Sequence, residues 1–130
     1  MRPIKDSSEV ESFTTRRVAI IDGDREAAEM LHTFFRLMEL ECSLLDSSPA
    51  AVATIRRLDP DVVILDLDLP HLRALEIARE IRTPVIFVTD ADPALAAVDA
   101  PVIRKPRDRF EELLRLFEMV LALEEGRGGW

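Results

Sequence analysis

Five polar side chains close or follow apolar runs in this chain: Asp22, Asp66, Asp68, Thr89 and Lys105. The clearest case is "DVVILDLDLP", Asp61 to Pro70, where four apolar residues, three of them β-branched, end on Asp66. A short run of this kind, bounded by Pro60 and Pro70, reads as a central parallel strand buried on both faces. Asp22 closes Val18–Ile21 in the same way, Thr89 closes "PVIFVT", and Lys105 follows Val102–Arg104. Carboxylates at the carboxyl ends of neighbouring strands repel, so a buried pair shares a proton or recruits a cation. Hard cations such as Mg2+ prefer oxygen ligands and keep several waters, which suits two or three Asp side chains on strand-end loops. A hydroxyl (Thr89) and an ammonium (Lys105) at the same rim would bind an anion beside the metal. The combination fits phosphoryl transfer onto an aspartate. The plainer alternatives are that Asp66 only ends its strand or caps the next helix, and that Thr89 is simply a β-branched strand residue.

These side chains need elements to position them. Apolar spacing puts strands at Val18–Ile21, Glu41–Asp46, Val62–Leu65, Pro84–Thr89 and Val102–Arg104, the second at an edge. Helices are expected over Arg25–Met38, from Ser48–Pro49 to Leu58, over Leu72–Arg82, and from Arg107 or Asp108 to Glu125. Ser48 is read as the cap of the second helix. The third helix is expected to bury Leu72, Leu75, Ala78 and Ile81. Pro93 and Pro101 limit the segment from Asp90 to Ala100 to one or two turns. Such alternation predicts an α/β fold of the flavodoxin-like, doubly wound type, with helices on both faces of a five-stranded parallel sheet of order 2-1-3-4-5. That order sets Asp22 and Asp66 side by side. Asp24 either joins the pocket or caps the first helix.

Length and composition bound the rest. With 130 residues, the expectation is one domain at 17–125, a flexible arm at 1–16 and a tail at 126–130. Seventeen Lys and Arg against 25 Asp and Glu, net charge −8, argue against a nucleic-acid partner. Cys42 is the one cysteine and cannot pair internally, which implies a reducing compartment. No apolar stretch reaches membrane-spanning length and no signal-type segment opens the chain, so a cytoplasmic protein without a membrane partner is expected. His32 and His71 lack metal-ligand spacing. Arg16–Arg17 and Arg56–Arg57 read as solvated pairs.

On "VAIID", "DVVILDLDLP", "TPVIFVT" and "VIRKP", taken in this order and each at a strand end, the chain resembles the receiver domains of two-component response regulators from Arg17 to about Glu125. The resemblance implies that Asp66 accepts a phosphoryl group, that Thr89 is the switch hydroxyl and that Lys105 binds the phosphoryl group. It implies Mg2+ at Asp22 and Asp66, with the backbone carbonyl at Asp68 as a further ligand and its carboxylate within reach. It also implies a cis bond at Lys105–Pro106. A sensor histidine kinase or phosphotransfer protein would be the donor, and the protein would be no enzyme beyond its own Mg2+-dependent phosphotransfer and dephosphorylation. Several positions depart from the family. Gly23 stands where a second acid is usual, Arg73–Ala74 where an Asp–Gly pair is usual, and Val102 where an aromatic is usual. The segment between Thr89 and Lys105 is short.

Two readings follow. One is a stand-alone receiver phosphorylated on Asp66 that signals through protein contacts; the other is a degenerate receiver acting as a phosphorylation-independent interaction module. A Mg2+-dependent phosphatase of related topology is the weakest, since no additional acid or nucleophile is found. Weak Mg2+ binding through Asp22, Asp66 and Asp68 is expected in view of Gly23. The last helix carries Leu116, Met119 and Leu123 beside a docking stripe of Phe110, Leu113, Leu114, Phe117, Val120 and Leu121. That second face would be exposed in a monomer, so a homodimer, or a kinase contact, through this helix is expected.

Overall fold

In the computed structural model, residues 16–107 and 109–128 are described, with side chains to Leu123. Residues 1–15 of the expected arm and the last two residues of the tail lie outside them. Strands β1 (Arg17–Ile21), β2 (Glu41–Leu45), β3 (Val62–Asp66), β4 (Val85–Thr89) and β5 (Val102–Arg104) form one parallel sheet in the order β2-β1-β3-β4-β5. Helices α1 (Arg25–Leu37), α2 (Ala51–Leu58), α3 (Arg73–Glu80) and α4 (Phe110–Gly128) connect and flank it. Short 3-10 turns occupy Pro70–Leu72 and Pro93–Leu95.

The runs Val18–Ile21, Val62–Leu65 and Val85–Val88 of the three inner strands are apolar because both faces of the sheet are covered there. Val18, Ile20, Val62, Ile64, Ile86 and Val88 point to the side packed by Leu31 and Phe35 of α1 and by Leu113, Leu116 and Val120 of α4. Ala19, Ile21, Val63, Leu65 and Phe87 point to the side packed by Val52 and Ile55 of α2 and Ala74 and Ile77 of α3. The alternation is the period-2 geometry of a pleated strand. Every residue of β3 is buried, Asp66 included. Each core aliphatic side chain removed from water contributes about 1.5–3 kcal/mol.

Several expectations change. Asp24 is the N-cap of α1, accepting hydrogen bonds from the backbone N–H of Glu26 and Ala27 at 3.1 and 3.2 Å. Ser48 does not cap α2; it lies two residues before the cap position, its hydroxyl accepts from the N–H of Ala50, and Ala50 has no side-chain cap bond. Leu72 is not a buried residue of α3. It is 70% exposed and, with His71, takes a left-handed conformation that ends the 3-10 turn, so Ala74 and Ile77 face the sheet instead. The 126–130 tail is not irregular throughout, because α4 continues to Gly128: glycine disfavours a helix by only about 1 kcal/mol per residue and blocks none of its hydrogen bonds.

The face expected to carry a dimer is packed differently. Leu116 is fully buried in the core, and Met119 and Leu123 are partly buried against it. The helix therefore docks through Leu113, Leu116 and Val120, while Phe110 at its start is 62% exposed. Docking one turn-fraction around the helix consumes the face that had been assigned to a partner.

Candidate functional site

The strand register builds the site. Ile21 pairs with Leu65 across β1 and β3, so the next residues, Asp22 and Asp66, emerge together at the carboxyl rim. Asp66 pairs with Val88 of β4, and Thr89 pairs with Arg104 of β5. The Lys105 N–H then donates to the Thr89 carbonyl at 2.8 Å, which extends the β4–β5 pairing by one residue and turns the lysine side chain over the rim.

All five residues singled out from the sequence meet there. Lys105 Nζ lies 3.1 Å from Asp66 Oδ1 and 3.3 Å from Asp22 Oδ1, with its side chain 5% exposed. Asp66 is held from both sides: its Oδ2 accepts from the Gly23 N–H at 3.0 Å and its Oδ1 from the Asp68 N–H at 2.9 Å. Asp22 Oδ1 accepts from the Asp24 N–H at 2.8 Å, whereas Asp22 Oδ2 is buried without a hydrogen-bond donor.

The two buried acids are pushed in opposite directions. Burial drives the Asp22 carboxyl up to about 6, and the neighbouring Asp66 carboxylate adds to the rise, against the opposing effects of the Asp24 N–H and Lys105. Burial acts on Asp66 too, but donation by Gly23, Asp68 and Lys105 outweighs it and holds that carboxyl below its ordinary value. Lys105 is likewise desolvated, yet its contacts with Asp66 and Asp22 keep it above the usual lysine value. The site therefore holds an ionised, oriented Asp66 beside a charged ammonium.

Asp68 reaches the site differently from the expectation. Its Oδ1 accepts from the Thr89 hydroxyl at 2.7 Å and its Oδ2 from the Asp90 N–H at 2.8 Å, while Lys105 Nζ is 3.9 Å away. Among the described residues no group of three acidic, His or Cys side chains is arranged to hold a metal, so Asp22, Asp66 and Asp68 are not a ready-made triad. Asp22 and Asp66 do fit a hard cation. They offer a buried oxygen with no donor, and Mg2+ needs only one or two carboxylates besides water. At Gly23 a Cβ would stand 3.2 Å from Leu69 Cδ2 and 3.6 Å from Asp66 Oδ2. Leu69, 6% exposed, thus lies beside the space a second acid would use.

The cis bond is not present. Among the described residues no peptide bond is cis, so Lys105–Pro106 is trans. The strand pairing already aims the lysine, and the change of chain direction falls on Arg107, whose φ is 51°. The sequence marks Arg107 only as a helix start and does not mark Leu69 at all. Neither has a spacing signal, because their partners lie far away in sequence. Cys42 is half-buried against the core, and burial pushes its thiol up to about 12, away from thiolate chemistry.

Residues 18–108 match the family model of the response regulator receiver domain. The chain is 30% identical over 78 residues to the DNA-binding response regulator MtrA of Mycobacterium leprae, covering 57% of this chain and 35% of that protein. It is 27% identical over 108 residues to the regulatory protein AtoC of Escherichia coli, covering 79% of this chain and 23% of that protein. It thus spans about a third or less of these relatives. Among solved structures, the CheY-like receiver domain from Methylobacillus flagellatus superposes with a TM-score of 0.66 at 15% identity, over 82% of this chain and 98% of that one. The response regulator TrrA of Thermotoga maritima, in complex with Mg2+–BeF, gives 0.68 at 21% identity over 81% and 98%. With the matching model, strand order and rim residues together, this chain belongs to the response regulator receiver domain family.

Proposed function

We propose that this receiver takes a phosphoryl group on Asp66 from a phosphohistidine of a sensor histidine kinase or phosphotransfer protein. The receiver unit would run from residue 17 through α4. The observation that supports this most is the state of Asp66: an ionised carboxylate at the end of the central strand, fixed by two backbone N–H groups and 3.1 Å from Lys105. An Asp66 oxygen attacks phosphorus, the P–N bond breaks, and its electron pair stays on the imidazole nitrogen. Lys105 offsets the charge that the phosphoryl oxygens bring. The Thr89 hydroxyl, which donates to Asp68, would exchange that bond for one to these oxygens. Mg2+ held by Asp22 and Asp66 would neutralise the same oxygens. The output is a contact with another protein.

A second reading, a phosphorylation-independent interaction module, is favoured by one observation: Gly23 supplies no ligand and Leu69 lies against the space an acid would fill. Incubation with acetyl phosphate and Mg2+ followed by intact mass separates the two. A single phosphoryl adduct, absent from Asp66→Asn, supports the receiver reading. No adduct with Mg2+ or Mn2+ supports the module.

A further inference from the structure

The loops after β1 and β4 flank the end of β3, and one side chain ties them together. Arg107 Nη1 donates to Asp24 Oδ2 at 2.6 Å, Nε donates to Asp90 Oδ1 at 3.1 Å, and Nη2 donates to Asp90 Oδ2. Asp24 follows β1 and Asp90 follows β4, so the guanidinium spans the two strands on either side of β3. Asp90 connects inward as well, since its N–H donates to Asp68, which holds the Thr89 hydroxyl. Arg107 makes these bonds from a left-handed backbone, φ 51°, where asparagine or glycine would fit with less strain. Retaining a strained arginine there points to a use for its planar, five-donor head. Asp66 and Lys105, between these loops, are 3% and 5% exposed, and Asp68, bonded to the Asp90 N–H, donates its own N–H to Asp66, so a shift of the β4 loop bears directly on access to the carboxylate.

We propose that Arg107 is a latch: it holds the β1 and β4 loops together across the end of β3 and sets how often Asp66 is open to a phosphodonor. The gating of donors rests on the phosphoacceptor reading of Asp66; the latching itself does not. Two measurements keep them apart. Carbodiimide-driven coupling of an amine to carboxylates, read by peptide mass spectrometry, reports the accessibility of Asp66 whether or not it is ever phosphorylated. Acetyl phosphate with Mg2+ reports the chemistry.

Arg107→Ala and Asp90→Asn are each expected to raise labelling of Asp66 about three-fold or more relative to Glu29 on α1, as a local opening equilibrium shifts. Arg107→Lys, which keeps the charge but loses the fork, falls between wild type and Arg107→Ala. Arg109→Ala, which breaks only the nearby pair with Glu112, leaves Asp66 labelling at the wild-type level. The adduct with acetyl phosphate forms faster in Arg107→Ala in proportion to the labelling. Unchanged Asp66 labelling in both Arg107→Ala and Asp90→Asn overturns the latch, and increased labelling with an unchanged adduct rate overturns the gating of donors. If no variant and no wild type forms an adduct, the phosphoacceptor reading fails and the labelling alone decides the latch.

Discussion

Replacing Lys105 by methionine removes the cation that lies 3.1 Å from Asp66 and 3.3 Å from Asp22 while keeping most of the side-chain volume. Two buried carboxylates are then left facing each other. Removing one partner of a buried charge group costs about 3–5 kcal/mol, and that is the loss expected at about pH 8, in EDTA, where both acids are ionised. The loss depends on pH because Asp22 can take up a proton. Its carboxyl is raised from 3.8 to about 6 in the folded protein, which corresponds to about 3 kcal/mol of linked stability. Because the folded value is the higher one, that stability is fully present below about pH 4 and disappears as pH rises through about 6. Asp66 works with the opposite sign: its lowered carboxyl contributes above the ordinary carboxylate range and is lost on acidification. At about pH 5 a proton on Asp22 takes over much of the neutralisation that Lys105 supplied, so the variant is expected to lose only about 1–2 kcal/mol there. Urea unfolding of both proteins at the two pH values measures the difference. A loss below about 1 kcal/mol at the higher pH, or the same loss at both, would refute the account of the lysine as the internal counterion of this pair.

Four further variants test the site and the core. Gly23→Asp is expected to tighten Mn2+ binding about ten-fold in calorimetry by adding a carboxylate, and to lower the melting temperature in EDTA, since its Cβ meets Leu69 Cδ2 at 3.2 Å. Unchanged affinity would mean that this position does not face the ion. Asp68→Asn is expected to cost about 1 kcal/mol, because an amide accepts from only one of the Thr89 hydroxyl and the Asp90 N–H. It should leave Mn2+ affinity nearly unchanged, and a large drop in affinity would restore Asp68 as a ligand. Leu116→Glu puts a carboxylate into a fully buried position and is expected to unfold the domain, so it cannot report on assembly. Phe110→Glu, at a 62% exposed position in edge contact with Phe34, is expected to cost about 1 kcal/mol, and sedimentation of that variant against wild type tests self-association through α4.

The strand order and the five pocket residues could be read from the chain because each strand is an apolar run with a polar residue at its rim. In a parallel sheet the register then brings those rim residues together without further information. Faces of the helices were harder. In α4, Leu113, Leu114, Leu116 and Phe117 are nearly consecutive, so periodicity alone allows two stripes, and docking on Val18 and Ile64 chose the one containing Leu116. Leu72 departs from its expected burial because its left-handed backbone interrupts the helical period at the start of the pattern. Asp68 lies 3.9 Å from Lys105, but its choice of Thr89 and Asp90 as partners depends on the β4 loop, which lies over twenty residues away. Arg107 joins residues separated by 83 and 17 positions, a relation invisible to any local pattern.

The brevity of β5 has a dynamic consequence. Only three residues add this strand to the sheet, none of them fully buried, and the segment that leads into it holds a single 3-10 turn in place of a helix. Few apolar contacts anchor that edge, whereas β3 is buried along its whole length. Amide hydrogens of β5 and residues 96–101 are therefore expected to exchange through sub-global openings well below the free energy that protects β1 and β3. Since Lys105 is attached directly to this edge, each such opening withdraws the ammonium from Asp66. The frequency of edge fraying, measurable by native-state exchange, thereby sets a ceiling on how long the charged pocket stays assembled.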